Sequence, residues 1–196
     1  VLTMGPVASS YTARRAAFPK PVLAVFVIDP EVQGIPGATN DAGERASGVV
    51  NLNYVIFPSG LEENVRRLRE ITPFSRLTFL SNEGLAAAVP ELEENLVIGL
   101  RQLDLESTIV RVGSSVEDAI AAIPDDADAV YVLPLMQLPP GDFDRLVEAL
   151  IERRLPSFSY WGRREVEQGP MASLFADEAF DRLGRRVALN MQRILV

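Results

Sequence analysis

The side chains most able to bind a ligand lie directly after apolar segments of the chain. Residues 22–28 are apolar at every position and end at Asp29, which Pro30 follows. A carboxylate there is suited to an amine, whereas hydroxyl, amide and helix N-terminal N–H groups are suited to a carboxylate. Other apolar segments are also followed by residues that could supply such polar groups or an apolar surface for stacking. These residues are Gly5, Pro6, Ser9, Ser10, Asn82, Met136 and Trp161. Together they predict a binding site for a small polar or zwitterionic molecule.

The composition argues against catalysis within this chain. It contains no histidine and no cysteine, which excludes Ser-His-Asp catalysis, thiolate catalysis and metal sites built from those residues. An acid–base pair of Asp29 and Glu165, as in glycosidases, lacks a supporting motif, and Glu165 and Glu167 are expected to be solvated. We therefore predict a protein that is not an enzyme, with no metal and no other cofactor.

The charge balance argues against a nucleic-acid partner. The chain has 27 acidic and 19 basic residues, a net charge of −8. Binding to nucleic acid needs a basic surface for the phosphates. The expected partner is instead a small molecule.

Strand-like and helix-like segments alternate over most of the chain. Apolar, β-rich runs predict strands at residues 22–28, 77–80, 108–112, 129–133, 156–160 and 171–175. Stripes of apolar residues at helical spacing lie within residues 61–71, 89–103, 143–151 and 180–194, and a short helix is predicted at 8–17. This alternation predicts an α/β fold with parallel sheets flanked by helices. Ligands bind such sheets at the carboxyl ends of the strands, where the candidate residues lie.

The predicted domain boundary falls after residue 57. Residues 1–57 form a partial N-terminal lobe of strand, helix and strand, with 49–57 as a crossover strand. Residues 58–196 carry the fuller alternation and form a C-terminal α/β lobe. Between Gln33 and Ser47 the chain is rich in Gly, Pro, Asn and Asp, which predicts an exposed loop.

The polar candidates each have a purely structural alternative. Asp29 is typical of a turn, and Asn82 is suited to an N-cap of the helix that follows it. Ser9 and Ser10 are suited to capping the helix after Gly5. The sequence leaves both interpretations of each residue open.

The two large apolar candidates also have alternatives. Met136 is suited to packing in the core or between lobes. Trp161, the only tryptophan, is either a wall on which a solute stacks or a plug against a neighbouring helix. Tyr160 and Arg163 flank it and favour the wall.

Several short segments occur in an order and spacing that is shared with a known family. They lie at residues 4–8, 21–30, 47–51, 61–73, 76–82 and 168–173. Together they resemble the substrate-binding proteins of ABC transporters with the type I periplasmic-binding fold, in the branch that includes tryptophan- and tyrosine-binding members. The resemblance covers nearly the whole chain, but the family's first half-lobe is absent, so the chain resembles an N-terminally truncated member.

This resemblance implies a function and a location. The implied function is reversible capture of a small organic molecule, amino-acid-like or more apolar, in an inter-lobe cleft that closes by a hinge. Delivery to an ABC permease follows, in a periplasmic or other extracytoplasmic location, with a lipid anchor on the full-length protein. The alternative is a ligand-sensing domain of a receptor or regulator with the same fold.

Two departures from the family pattern bear on the ligand. Family members often carry a polar Asp-Asn-Thr loop where this chain has residues 135–137, which are largely apolar. They typically carry an Asp-rich loop where residues 160–163 stand. Both departures favour a more apolar ligand, or the loss of ligand binding.

The incomplete lobe also predicts self-association. The strands at Leu2 and at residues 22–28 are expected to lack N-terminal neighbours. Because uncovered strands expose apolar surface and backbone hydrogen-bonding groups, a homodimer through this lobe is predicted.

Overall fold

The computed structural model describes residues 1–39, 45–57, 60–139 and 141–195. The chain folds into parallel sheets flanked by helices, as the alternation predicts. None of the helices within these residues is long and apolar enough to cross a membrane. In chain order the elements are β1 (Leu2–Met4), α1 (Pro6–Ala13), β2 (Ala17–Val27), β3 (Ala38–Thr39), β4 (Arg45–Ala46), β5 (Val50–Ile56), α2 (Leu61–Ile71), β6 (Arg76–Asn82), α3 (Glu83–Ala88), α4 (Pro90–Arg101), β7 (Glu106–Val112), α5 (Val116–Ala122), β8 (Ala129–Val132), α6 (Asp142–Glu152), β9 (Ser157–Ser159), α7 (Arg163–Val166) and α8 (Ala179–Leu195).

The chain divides into two compact units. The first contains Val1–Gly60, Val89–Asn95 and Glu178–Val196, and the second contains Leu61–Ala88 and Leu96–Asp177. The predicted boundary after residue 57 lies near the first of these transitions. Two segments predicted in the C-terminal lobe, residues 89–95 and 178–196, instead group with the first unit.

The first unit contains a three-stranded parallel sheet in the order β1-β2-β5. The predicted crossover strand is β5, and it pairs with β2 along its length. Helix α8 contacts both β2 and β5. The buried apolar cluster of this unit consists of Ala13, Val22, Ala24, Val27, Ile35 and Leu52.

A β-bulge at Phe26 changes which face of the sheet the side chains at the end of β2 point to. Val25 pairs with Val55 and Val27 pairs with Ile56, so Phe26 is the extra residue, with φ 64°. The shift lets Val27 join Val22 and Ala24 in one cluster. The Phe26 ring stacks on Phe57 at 5.9 Å and lies 6.3 Å from Phe180. These contacts offset a left-handed backbone that costs about 1–2 kcal/mol.

The prediction of an exposed loop between Gln33 and Ser47 is wrong at both ends. Gln33, Ile35 and Ser47 are buried, and β3 pairs with β4 as a short antiparallel hairpin. Residues 40–44 lie outside the described part of the chain. The composition misleads because a Gly- and Pro-rich stretch can still fold inward when a few side chains find partners there.

The second unit contains a four-stranded parallel sheet in the order β7-β6-β8-β9. One face of its buried core is formed by Leu80, Val110, Val112, Val130 and Val132 with residues of α5 and α6. The four predicted strands at 77–80, 108–112, 129–133 and 156–160 are confirmed with small shifts in their ends.

The predicted strand at residues 171–175 is wrong. Ala172 forms a single bridge to Phe158, and the Ser173 hydroxyl accepts a hydrogen bond from the Phe175 N–H at 3.2 Å. That local bond turns the chain, so the apolar run does not continue the ladder.

Asp128 holds the amino end of β6. Its Oδ2 accepts hydrogen bonds from the Ser75 hydroxyl at 2.8 Å and from the N–H groups of Ser75 and Arg76 at 3.1 and 2.9 Å. Its Oδ1 accepts one from the Arg76 guanidinium at 2.8 Å. The Ser75 hydroxyl, and then Arg76, hold the pKa of the Asp128 carboxyl below its usual range.

We expect Asp128→Ala to lower the free energy of unfolding at neutral pH by about 1–2 kcal/mol, since charge-assisted bonds are lost but solvent screens the pair. A carboxyl whose pKa is lowered by folding stabilises the fold above its unfolded pKa, and this contribution falls as the pH drops through about 4 and below. Denaturant titrations at several pH values test this. Asp126→Ala is the control, because Asp126 is exposed and lies 3.8 Å from Arg76; an equal loss there would contradict the assignment.

Candidate functional site

Strand ends and the first turn of α1 shape the carboxyl edge of the sheet in the first unit. Gly5 follows β1 with φ 97°, a conformation that favours glycine. Its N–H donates to the Val25 carbonyl at 3.0 Å, and Pro6 occupies the first helical turn. Gly5 and Pro6 therefore lie at the predicted edge, next to the end of β2. Their contact with a ligand stays a prediction.

Ser9 and Ser10 lie on the inner side of α1 and are buried. The Ser9 hydroxyl donates to the Pro6 carbonyl at 3.0 Å, and the Ser10 hydroxyl accepts from the Gln33 amide at 2.7 Å. Both hydroxyls therefore serve the packing of α1 in this structure. The predicted capping role is wrong, because both residues lie inside α1 and no side chain caps its N-terminus; their contact with a ligand stays a prediction.

Gln33 is a residue that sequence reasoning missed. It is 1 % exposed, its Oε1 accepts from the Ile28 N–H at 2.6 Å, and its Nε2 donates to Ser10 and to the Pro6 carbonyl, the latter at 3.3 Å. It thereby ties the end of β2 and the segment after it to the first turn of α1. Two of its three partners, Ser10 and Pro6, lie 23 and 27 residues away in the chain, so no local pattern indicates it.

Asp29 shows the turn chemistry of its structural alternative, and its contact with a ligand stays a prediction. Its Oδ1 accepts from the N–H groups of Glu31 at 2.9 Å and Val32 at 3.2 Å, which is turn chemistry. Asp29 also lines a cavity of about 340 Å³ beyond the end of β2. The other described lining residues are Pro30, Glu31, Ile35, Gly37, Ala38, Thr39 and Ala46. The turn therefore fixes a carboxylate in the wall of a cavity large enough for a small molecule.

In the second unit, Asn82 lies at the end of β6, and both the oxygen and the nitrogen of its side-chain amide form hydrogen bonds. Its Oδ1 accepts from the Leu85 N–H at 2.9 Å, as an N-cap of α3 does. Its Nδ2 donates to Gln137 Oε1, and Gln137 Nε2 donates to the Val112 carbonyl at 3.0 Å. The capping alternative is thus observed, and contact of Asn82 with a ligand stays a prediction.

Met136 lies on the segment after β8 and is 82 % exposed. Packing in the core is therefore wrong for this residue. The neighbouring Leu135 is 6 % exposed and belongs to the core cluster instead. The sequence shows an apolar pair but not which member faces inward, and Met136 stays a candidate for ligand contact.

Trp161 is half-buried beyond the end of β9. Its ring meets Tyr160 and Phe175 edge-on, with centroids 6.1 and 6.4 Å away. Its backbone N–H donates a hydrogen bond to the Ser159 hydroxyl oxygen at 3.0 Å. One part of the indole is thus packed against neighbouring rings, as in the plug interpretation. Another part is exposed, so stacking of a solute on it stays a prediction.

Glu165 was expected to be solvated, and that expectation is wrong. The side chain is half-buried, and its carboxylate accepts a hydrogen bond from the Ser159 hydroxyl. Burial raises the pKa of the Glu165 carboxyl, while hydrogen bonds from Ser159 and the Trp161 N–H oppose the rise. The turn at Gly162, with φ 87°, folds Glu165 back over the end of β9. Glu167 is exposed and pairs with Arg163 at 2.7 Å, as expected.

In the described part of the chain, no group of three or more acidic side chains is arranged to hold a metal ion. The carboxyl edge of the first unit offers the Asp29 carboxylate, and that of the second unit offers the Glu165 carboxylate and the partly exposed Trp161 ring. Such groups can bind a small organic molecule through ion pairs, hydrogen bonds and stacking.

Comparison with known proteins identifies the fold. No protein-family profile and no curated protein sequence matches the chain. A solved structure of a conserved domain protein from Vibrio cholerae is similar over 99% of this chain, with a TM-score of 0.68 and 21% identity. The structure of an ABC domain in complex with L-Trp from Streptococcus pneumonia is similar over 100%, with a TM-score of 0.67 and 17% identity.

This chain spans 62% and 65% of the length of those two chains. At such identities the likeness establishes the fold alone. It confirms the predicted α/β class, with parallel sheets flanked by helices.

Proposed function

We propose that this chain reversibly binds a small organic solute at the carboxyl ends of its sheet strands, as the solute-binding component of an ABC transporter. The observation that carries the proposal is the cavity of about 340 Å³ beyond β2, with Asp29 fixed in its wall. Ligand pockets in proteins begin at about 300 Å³, and open α/β sheets bind ligands at this edge. The proposal assigns no catalytic turnover to the chain.

Two further observations support the transport part of the proposal. The chain shares its fold with an ABC domain that binds L-Trp. Its short motifs also follow the order seen in substrate-binding proteins of ABC transporters. Delivery of the solute to a membrane permease, and a location outside the cytoplasm, belong to the same proposal.

A thermal-shift screen of amino acids, aromatic amines and aromatic acids tests the proposal. A solute that binds the native state at about 100 times its Kd stabilises it by about 2.7 kcal/mol. We expect at least one compound to raise the melting temperature saturably, and calorimetric titration to give a matching Kd.

Cavity-filling variants locate the site. Ala38 is exposed and lines the cavity, so Ala38→Phe is expected to abolish solute binding by occupying the space. Ala188→Phe is the matched control, since Ala188 is exposed on α8 and does not line the cavity. Equal binding by both variants would refute the proposed place of binding.

A further inference from the structure

A second cavity of the first unit lies near the amino ends of its strands, away from the cavity at the carboxyl end of β2. It has a volume of about 320 Å³ and shares no described lining residue with that first cavity. Its walls include Thr3 on β1, Thr12 in the last turn of α1, and Phe18 and Lys20 in the amino-terminal part of β2. The two cavities are therefore separate places on one unit.

An irregularity in β2 forms one wall of this second cavity. Residues 18–21 of β2 lie opposite Asn51 alone in the pairing with β5, and two of the four are prolines, which have no N–H for the ladder. The segment is held at both ends, because the Asn51 amide donates to the Phe18 carbonyl at 2.7 Å and the Val1 nitrogen donates to the Pro21 carbonyl at 2.9 Å. The sheet thus bulges here in a fixed way, and the bulge carries Lys20.

The charged groups of the second cavity are all basic. Arg15 and Lys20 line it, and none of its described lining residues is acidic, although the chain as a whole has a net charge of −8. Among the described residues neither of the two has an ion-pair partner, whereas the adjacent Arg14 is paired with Glu91 at 2.9 Å. Two unpaired cations at one cavity attract an anion.

The rest of the second cavity is largely apolar. Val22 is buried and Phe18 is half-buried, and Pro19 lies between them in the chain. The Thr12 hydroxyl donates to the Ala8 carbonyl at 2.7 Å, so its hydrogen is already used within α1. An apolar wall with a few charged groups is typical of a site for a small organic molecule.

We infer that this cavity is a second binding site, for a small organic acid whose carboxylate pairs with Arg15 and Lys20 and whose apolar body lies against Phe18 and Val22. The inference does not depend on the proposed function, because none of these four residues lines the cavity that contains Asp29. The site prefers an organic carboxylate to an amine of the same shape and to an inorganic anion.

Three probes separate charge from apolar contact. 4-Phenylbutyrate and 3-phenylpropylamine share a phenylpropyl group and carry opposite charges at neutral pH, and inorganic phosphate carries negative charge without an apolar body. Lys20 is the only lysine of the chain, so its single ¹³Cε cross-peak in a sample labelled with ¹³C-lysine reports binding at this place. We expect 4-phenylbutyrate to shift that peak saturably and, by calorimetric titration, to bind at least about tenfold tighter than either other probe.

Two variants separate the role of Arg15 from general charge. Arg15→Gln removes a lining charge, and we expect the affinity for 4-phenylbutyrate to fall about threefold to tenfold. Arg14→Gln removes the same charge from the adjacent residue, which does not line the cavity, and we expect a change of less than about twofold. Both side chains are exposed, so the melting temperatures of the variants should match that of the wild type.

The inference would be overturned if 4-phenylbutyrate did not shift the Lys20 peak, or if the amine or phosphate bound as tightly. Equal effects of Arg15→Gln and Arg14→Gln would overturn it as well. Ala38→Phe fills the other cavity, and we expect it to leave 4-phenylbutyrate binding unchanged. A loss of binding in that variant would move the acid to the cavity of the proposed function and remove the basis for a second site.

Discussion

Gly162→Ala is expected to lower the free energy of unfolding of the second unit by about 2–5 kcal/mol, combining backbone strain with overpacking. Gly162 has φ 87° and ψ −152°, a region that only glycine occupies readily. An added Cβ would also lie 2.9 Å from Phe175 Cδ1 and 3.0 Å from its carbonyl oxygen. Urea unfolding followed by Trp161 fluorescence measures the loss.

Gly141→Ala provides the matched control for this prediction. Gly141 has nearly the same φ, 88°, but a Cβ there would have no neighbour within 4 Å. Only the backbone term then applies, at about 1–2 kcal/mol. If the two substitutions cost the same, the packing of Phe175 over Gly162 does not contribute. In that case the packing of Phe175 on the Gly162 turn would not be what holds Trp161 and Glu165 in their positions.

The regular elements of this chain were predictable because their signals are local. The apolar stripe within residues 143–151 gives α6 at Asp142–Glu152, and the apolar run at 129–133 gives β8 at Ala129–Val132. Residues 171–175 show the limit of this reasoning. They are apolar enough for a strand, but whether they join the sheet depends on the Ser173 turn.

The candidate site was predictable only in outline. In each unit the parallel strands bring their carboxyl ends to one edge of that unit's sheet, and Asp29, after β2, and Asn82, at the end of β6, lie at such edges. What a side chain does there can depend on a partner distant in the chain, as the Asn82 amide does on Gln137. Glu165 was missed because its burial arises from the turn at Gly162. Met136 and Leu135 are both apolar, and nothing in their types indicates which one is exposed.

The same reasoning applies to Gln33, which lies in a Gly- and Pro-rich stretch yet is among the most buried polar residues described. Its amide satisfies the Ile28 N–H, the Ser10 hydroxyl and the Pro6 carbonyl. These groups belong to the end of β2 and the first turns of α1. The Gln33 side chain therefore helps to hold the segment that carries Asp29, as does the Asn95 amide, which donates to the Glu31 and Val32 carbonyls.

Gln33→Ala is expected to lower the free energy of unfolding by about 2–4 kcal/mol, because it leaves the partly buried Ile28 N–H unpaired and opens a small cavity. Gln102→Ala is the control, since Gln102 is exposed, and surface substitutions usually stay within about 0.5 kcal/mol. Denaturant titration of both variants gives the comparison.

Since Gln33 holds the segment that contains Asp29, the affinity for any solute in the adjoining cavity should fall as well. A Gln33→Ala protein as stable as wild type would show that this network does not hold the segment in solution, and the place assigned to Asp29 would then lose its physical basis.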